Sequence, residues 1–157
     1  MAVRRHPMAV QTTSDALDRV PLDTALVARL RASYDVVRGH ELRLAETFYA
    51  KLFALAPHLR PMFPADLRTQ AEKLTAALDV VVRNFEDPAA NAAVLAGLGR
   101  RHAGYGVKPE HYRLVVDLLV ESMRELGGAA VEEARLEEWH GALRLIAQQM
   151  IAATRVP

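Results

Sequence analysis

The sequence predicts an all-α fold, and three observations carry that prediction. From Pro21 onward, apolar residues recur at the three- and four-residue spacing that lines one face of a helix. No run alternates apolar and polar residues with period two, and no Asn-Gly or similar dipeptide marks a hairpin. Glycine and proline fall between the periodic stretches, so each helix is delimited and the connections are short. Within the 157 residues there is no internal repeat, low-complexity tract or long linker. One domain over residues 21–157 is expected, after a flexible leader over 1–20 that mixes charge, Thr, Ser and Pro without lasting periodicity.

The first helix starts near Asp23 as a cap, with Leu26, Leu30 and Val37 inward and Arg29, Arg31 and Arg38 outward, and Gly39 ends it. The second, from about His40 to Leu55, has a wide apolar stripe of Leu44, Phe48, Tyr49, Leu52 and Phe53, which implies packing on more than one neighbour. Pro57, Pro61 and Pro64 break the chain into a tight corner containing Met62 and Phe63. Asp66 is the expected N-cap of a third helix that buries Leu67, Leu74, Leu78, Val81 and Phe85. Asp87-Pro88 starts the fourth, which ends at His102, with Gly104 and Gly106 stopping it. The fifth begins at Pro109, presents Tyr112, Val115, Val116, Leu119, Met123 and Leu126, and stops at Gly127-Gly128. The last spans roughly Val131 to Thr154, with Leu136, Trp139, Leu143, Ile146 and Met150 facing in.

Composition excludes several classes of function. Hydrophobic residues make up 51% of the chain and charged residues 25%, an ordinary globular balance. A net charge of +1 gives no reason to expect a nucleic-acid partner. The absence of cysteine removes disulfides, thiolate metal sites and cysteine nucleophiles, and fits a reducing compartment. Arg4 and Arg5 are followed by no apolar signal region, and no run reaches the roughly 18 apolar residues that span a bilayer. A cytoplasmic protein without a membrane segment is the expectation.

Among motifs, the six histidines include no pair at i, i+3 or i, i+4, which argues against a zinc site on one helix. Gly97-Leu98-Gly99 begins like a dinucleotide fingerprint, but His102 takes the third glycine position and no strand precedes it. Glu132-Glu133 and Glu137-Glu138 alternate with Arg135 on what reads as a solvated face. Three polar residues remain on apolar stripes: Tyr49, Gln70 and His102. His102 is either a core histidine bonded to a backbone carbonyl or a ligand to a metal or cofactor through one ring nitrogen. Tyr49 is either a core tyrosine bonded to a carbonyl or a donor into a site, and Gln70 either a boundary residue reaching water or a second donor. Together they form the set an iron-bound diatomic ligand needs: one imidazole on the metal, and a phenol and an amide to donate to the ligand.

The residues Phe48-Tyr49-Ala50-Lys51-Leu52-Phe53, Pro57-His58-Leu59-Arg60-Pro61-Met62-Phe63 and Gln70-Ala71-Glu72-Lys73-Leu74 resemble bacterial globins. So do the run from Arg101-His102 through Gly104-Tyr105-Gly106-Val107-Lys108-Pro109 to Tyr112, and Trp139. The similarity is to the haem domain of flavohaemoglobins and to single-domain bacterial haemoglobins, over about residues 22–154. It implies a globin fold around one haem b. It further implies His102 as the proximal iron ligand and Tyr49 with Gln70 as the distal pair that stabilises bound oxygen. Phe63 would wedge against the porphyrin, Leu74 form distal wall, Leu98 and Val107 flank the proximal face, and Tyr112 lie on the proximal side.

Two departures from the family qualify this. Flavohaemoglobins carry a flavin- and NAD-binding reductase after the globin, whereas this sequence stops at Pro157, so an external reductase is expected. In that family a glutamate near the end of the last helix bonds the proximal histidine together with the tyrosine. Counted without gaps from Trp139, that position holds Thr154. Without the carboxylate His102 should be a less electron-rich ligand, which disfavours efficient peroxidase-like or dioxygenase chemistry. The expected function is reversible binding of O2, with NO and CO as further ligands, in oxygen transport or in NO dioxygenation. The alternatives are a haem-based gas sensor or partner-binding globin module, and a haem-free globin-like domain in which His102 is merely buried.

Overall fold

The computed structural model describes residues 23–37 and 39–155. Among them are six α-helices, two 3-10 turns and no strand, as the periodicity implies. The helices are α1 (Thr24–Val37), α2 (Glu41–Leu55), α3 (Leu67–Arg83), α4 (Pro88–Gly104), α5 (Pro109–Gly127) and α6 (Glu133–Ala153). The leader expected over 1–20 and the side chain of Arg38 lie outside the described residues.

Local chemistry sets most boundaries. Asp66 caps α3 by accepting from the backbone N–H groups of Arg68 and Thr69, and Asp87 caps α4 by accepting from Ala90. The proline corner is a 3-10 turn, Pro57–Met62. Two expected ends move. Gly104 lies inside α4, and the reversal falls at Gly106, whose φ of 84° favours glycine. At the other end of α5, Gly128 rather than Gly127 has positive φ, a 3-10 turn follows, and α6 starts two residues after Val131.

The apolar stripes decide which helices meet. α2, wide-striped as expected, packs on both α3 and α5, while α6 packs on α4, α5 and α1. Buried Leu30, Leu44, Leu52, Leu95 and Leu136 fill the centre. Trp139 is buried against Tyr34 and Phe85 and donates its indole N–H to the Ser33 hydroxyl at 2.7 Å, tying α6 to α1. Leu67, expected in the core, is only half-buried at the start of α3. Consecutive α3 and α4 do not form a packed pair.

Two charged residues behave differently from expectation. Arg31 does not project outward: it donates to the Val82 and Arg83 carbonyls and pairs with Glu86, covering the C-terminal end of α3. Glu138 is partly shielded, pairing with Arg29 across the α1–α6 contact and with Arg135 on its own helix.

The closest approach of α4 and α6 depends on Gly99. A Cβ there would stand 2.2 Å from the Met150 carbonyl oxygen, with backbone rather than a flexible side chain in the way. Gly99→Ala is therefore expected to destabilise the fold by about 1–3 kcal/mol despite alanine's higher helix propensity. The urea midpoint measures it, with Gly141→Ala, which has open space around it, as the control.

Candidate functional site

The polar residues singled out on apolar stripes fall into two groups. The first lies on α2, α3 and the corner between them. Tyr49, 5% exposed, sits among aromatic rings: Phe48 at 5.0 Å, Phe63 at 5.5 Å and Phe53 at 5.9 Å between centroids. Its hydroxyl does not bond a backbone carbonyl. It accepts instead from Gln70 Nε2 at 3.3 Å, across 21 residues of sequence. Burial raises the Tyr49 pKa above its ordinary 10.0, with the Gln70 hydrogen bond acting weakly in the other direction. Leu74, one turn along α3 from Gln70, is half-buried against the core.

The second group is at the C-terminal end of α4 and the start of α5. The His102 ring folds back along its helix, and Nδ1 lies 2.7 Å from the Leu98 carbonyl oxygen. A carbonyl can only accept, so Nδ1 carries a proton, and in the neutral ring Nε2 is the nitrogen with the lone pair. The carbonyl-bonded reading of His102 therefore holds for Nδ1, and it leaves Nε2 open to a ligand. The Val107 N–H donates to the His102 carbonyl at 3.1 Å, which closes the corner around the ring. Tyr112 lies 6.0 Å from His102 between ring centroids. Its hydroxyl oxygen is buried without a hydrogen-bond partner, and burial raises its pKa. An unpaired buried hydroxyl costs on the order of 1–3 kcal/mol. Thr154 supplies nothing to it, being exposed and donating to the Ile151 carbonyl.

Among the described residues no hydrogen bond or ring contact joins the two groups; α2 packs on α5, but α3, which carries Gln70, does not pack on α4, which carries His102. Phe63, Gln70, Leu74, Leu98, His102, Val107 and Tyr112 are all half-buried. Apolar side chains this close to a core and yet left partly open fit a large flat apolar group. Among the described residues no three His, Asp or Glu side chains converge as metal ligands.

Two contributors were not singled out from sequence. Phe53 stacks on Tyr49 and packs edge-on against Phe63 at 5.2 Å. Its i, i+4 relation to Tyr49 was the available signal. Arg60 donates to the carbonyls of Phe63, Pro64 and Ala65 and lies over the Phe53 ring at 5.2 Å, fixing the corner that presents Phe63. Nothing in the local sequence announces that role.

The globin family model matches residues 46–150, and the chain belongs to the globin family. It is similar to the flavohemoprotein of Chromobacterium violaceum, 29% identical over 125 residues that cover 78% of this chain and 31% of that protein. The flavohemoprotein of Bordetella pertussis is 28% identical over 131 residues, covering 82% and 33%. The chain thus spans about a third of the length of these curated relatives. In structure it resembles a bacterial globin from Campylobacter jejuni, with a TM-score of 0.74 at 22% identity, covering 83% of this chain and 95% of that one. It also resembles an engineered carbene transferase from Rhodothermus marinus, described as a candidate nitric oxide dioxygenase. That match has a TM-score of 0.75 at 27% identity and covers 83% and 92%. The expected fold is therefore correct, and family membership implies haem binding and the diatomic-gas ligands of globins. No helix among the described residues is long and apolar enough to cross a membrane.

Proposed function

We propose that residues 21–157 form one haem b globin domain that binds O2 reversibly and converts NO and O2 to nitrate with electrons from a separate reductase. In this reading His102 is the iron ligand through Nε2. Tyr49 and Gln70 are the polar groups opposite it, and Phe63, Leu74, Leu98, Val107 and Tyr112 hold the porphyrin. The observation that carries the reading is the His102–Leu98 hydrogen bond, because it fixes the tautomer and the ring orientation an iron ligand needs. When bound, haem iron supplies the site for a diatomic gas and the redox capacity to make nitrate, one electron being returned per turnover.

The chain's own contribution on the other side is a directed proton. Gln70 donates to the Tyr49 oxygen, so the phenol's own O–H remains available to a second acceptor. Its ring neighbours Phe48, Phe53 and Phe63 offer none, and they keep the space around the O–H apolar. A hydrogen bond aimed at an oxygen with partial negative charge is strengthened in such surroundings. The raised pKa keeps Tyr49 protonated, and so a donor, across the physiological pH range.

On the proximal side, Tyr112 has no carboxylate to accept from it, and Thr154 does not fill that place. This supports gas binding over peroxidase-like chemistry, for which an electron-rich histidine is wanted, and makes NO oxidation the secondary activity. The cysteine-free sequence suits the reducing cytoplasm.

The test is to mix the oxygenated, haem-loaded protein with NO in a stopped-flow cell and assay the products. Conversion to the ferric form within the mixing time, with one nitrate per haem, is expected. Slow attack by NO would remove the dioxygenase part and leave oxygen binding or sensing.

A further inference from the structure

We propose that the surface at the turn from α4 to α5 is the docking face for an acidic one-electron carrier protein. The proposal rests on the haem reading above, since the electron is destined for the iron beside His102. Arg100, Arg101, Lys108 and Arg113 are all exposed on this segment, and among the described residues none of them makes an ion pair. Elsewhere the pattern is different. Arg29, Arg31, Arg68, Arg124 and Arg135 are each paired with a carboxylate. Arg43, Arg60, Lys73, Arg83, Arg144 and Arg155 are also without an ion pair among the described residues, but no second unpaired Lys or Arg lies within one helical turn of any of them. Glu110 is the single carboxylate in the segment 100–113, and it neutralises none of the four.

The chain as a whole is +1, so with this segment strongly positive the remainder is net negative. Such an asymmetry orients an acidic partner before contact. At the centre of the segment stands Tyr105, 69% exposed and the most exposed large hydrophobic side chain among the described residues. An exposed aromatic side chain on a segment of unpaired cations has the composition of a docking hot spot. The turn is also held in shape: the Tyr105 N–H donates to the Arg101 and His102 carbonyls, and the Gly106 N–H to the Ala103 carbonyl. A carrier seated here stands next to the backbone that positions the proximal imidazole. The step moves one electron from the reduced carrier to ferric iron, with no bond made or broken in the protein.

Photoreduced flavodoxin, an acidic flavin carrier, serves as the probe. Ferric, haem-loaded protein and its Arg100→Glu/Arg113→Glu variant are reduced in a stopped-flow cell at low and high salt, with dithionite as the small-molecule control. The variant should be reduced by flavodoxin at least about tenfold more slowly at low salt, the difference closing at high salt and absent with dithionite. A second readout needs no haem. The chain has three lysines, Lys51, Lys73 and Lys108, and carbodiimide cross-linking to flavodoxin carboxylates should fall on Lys108. Equal rates for variant and parent, or cross-links on Lys73 instead, would overturn the proposal. So would binding of this face to anionic lipid vesicles but not to flavodoxin. A protein that takes up no haem would sink the haem reading and the electron transfer with it, and cross-linking at Lys108 would then show only that this face binds an acidic protein.

Discussion

A His102→Gly variant should lose the haem absorption band and regain it when imidazole is added. In the proposed site the residue holds the iron through Nε2 while Nδ1–H is fixed on the Leu98 carbonyl, so the mutation would remove both the ligand and its orientation. Loss of a supporting hydrogen bond alone typically costs 10–100-fold in metal affinity, so loss of the ligand should exceed about 100-fold. The two described histidines nearest to it in sequence are already engaged. His111, nearest in sequence, accepts the Lys108 N–H through Nδ1, and His140 is bonded to Asp117. Glycine leaves space that free imidazole can enter, so recovery separates a missing ligand from a collapsed fold. An unchanged band in the variant would mean that another group holds the iron.

The second large effect is expected from Tyr49→Phe, which keeps the ring among Phe48, Phe53 and Phe63 but removes the donor. A hydrogen bond to a charged acceptor is worth about 1.5–3 kcal/mol, so O2 dissociation should accelerate roughly tenfold to a hundredfold. Gln70→Leu should have the smaller effect, because the amide acts chiefly by occupying the phenol's oxygen. The sign of the pH dependence follows from burial. With the Tyr49 pKa raised, the donor is intact below the ordinary 10.0 and is lost only as pH climbs through the higher folded value. The parent's off-rate should therefore stay flat to beyond pH 10.0 and then rise toward that of the variant. An off-rate unchanged by Tyr49→Phe would remove the residue from the site.

What the sequence made legible was what periodicity and spacing encode. Tyr49, Gln70 and His102 were visible as polar residues on apolar stripes, and an unpaired polar side chain there demands a partner. The i−4 carbonyl that His102 uses was within reach of the same reasoning, since a helical ring that folds back meets it. The Tyr49–Gln70 bond was not, because the sequence says nothing about how α2 is rotated against α3. Long side chains failed for a related reason. Arg31 and Glu138 look solvated within their own helices, yet each reaches across to another element. Gly99 was noticed only as part of a motif that fails; its use is the approach to Met150, 51 residues away in a different helix. The roles of the individual haem contacts came from resemblance to globins, not from spacing.

The most direct test of the central claim is an absorption titration of the purified protein with haemin. The account predicts a Soret band that saturates at one haem per chain and, on reduction without oxygen, a five-coordinate spectrum with a single imidazole ligand. No Soret band at any ratio would contradict it, and would leave His102 as a buried histidine bonded to a backbone carbonyl.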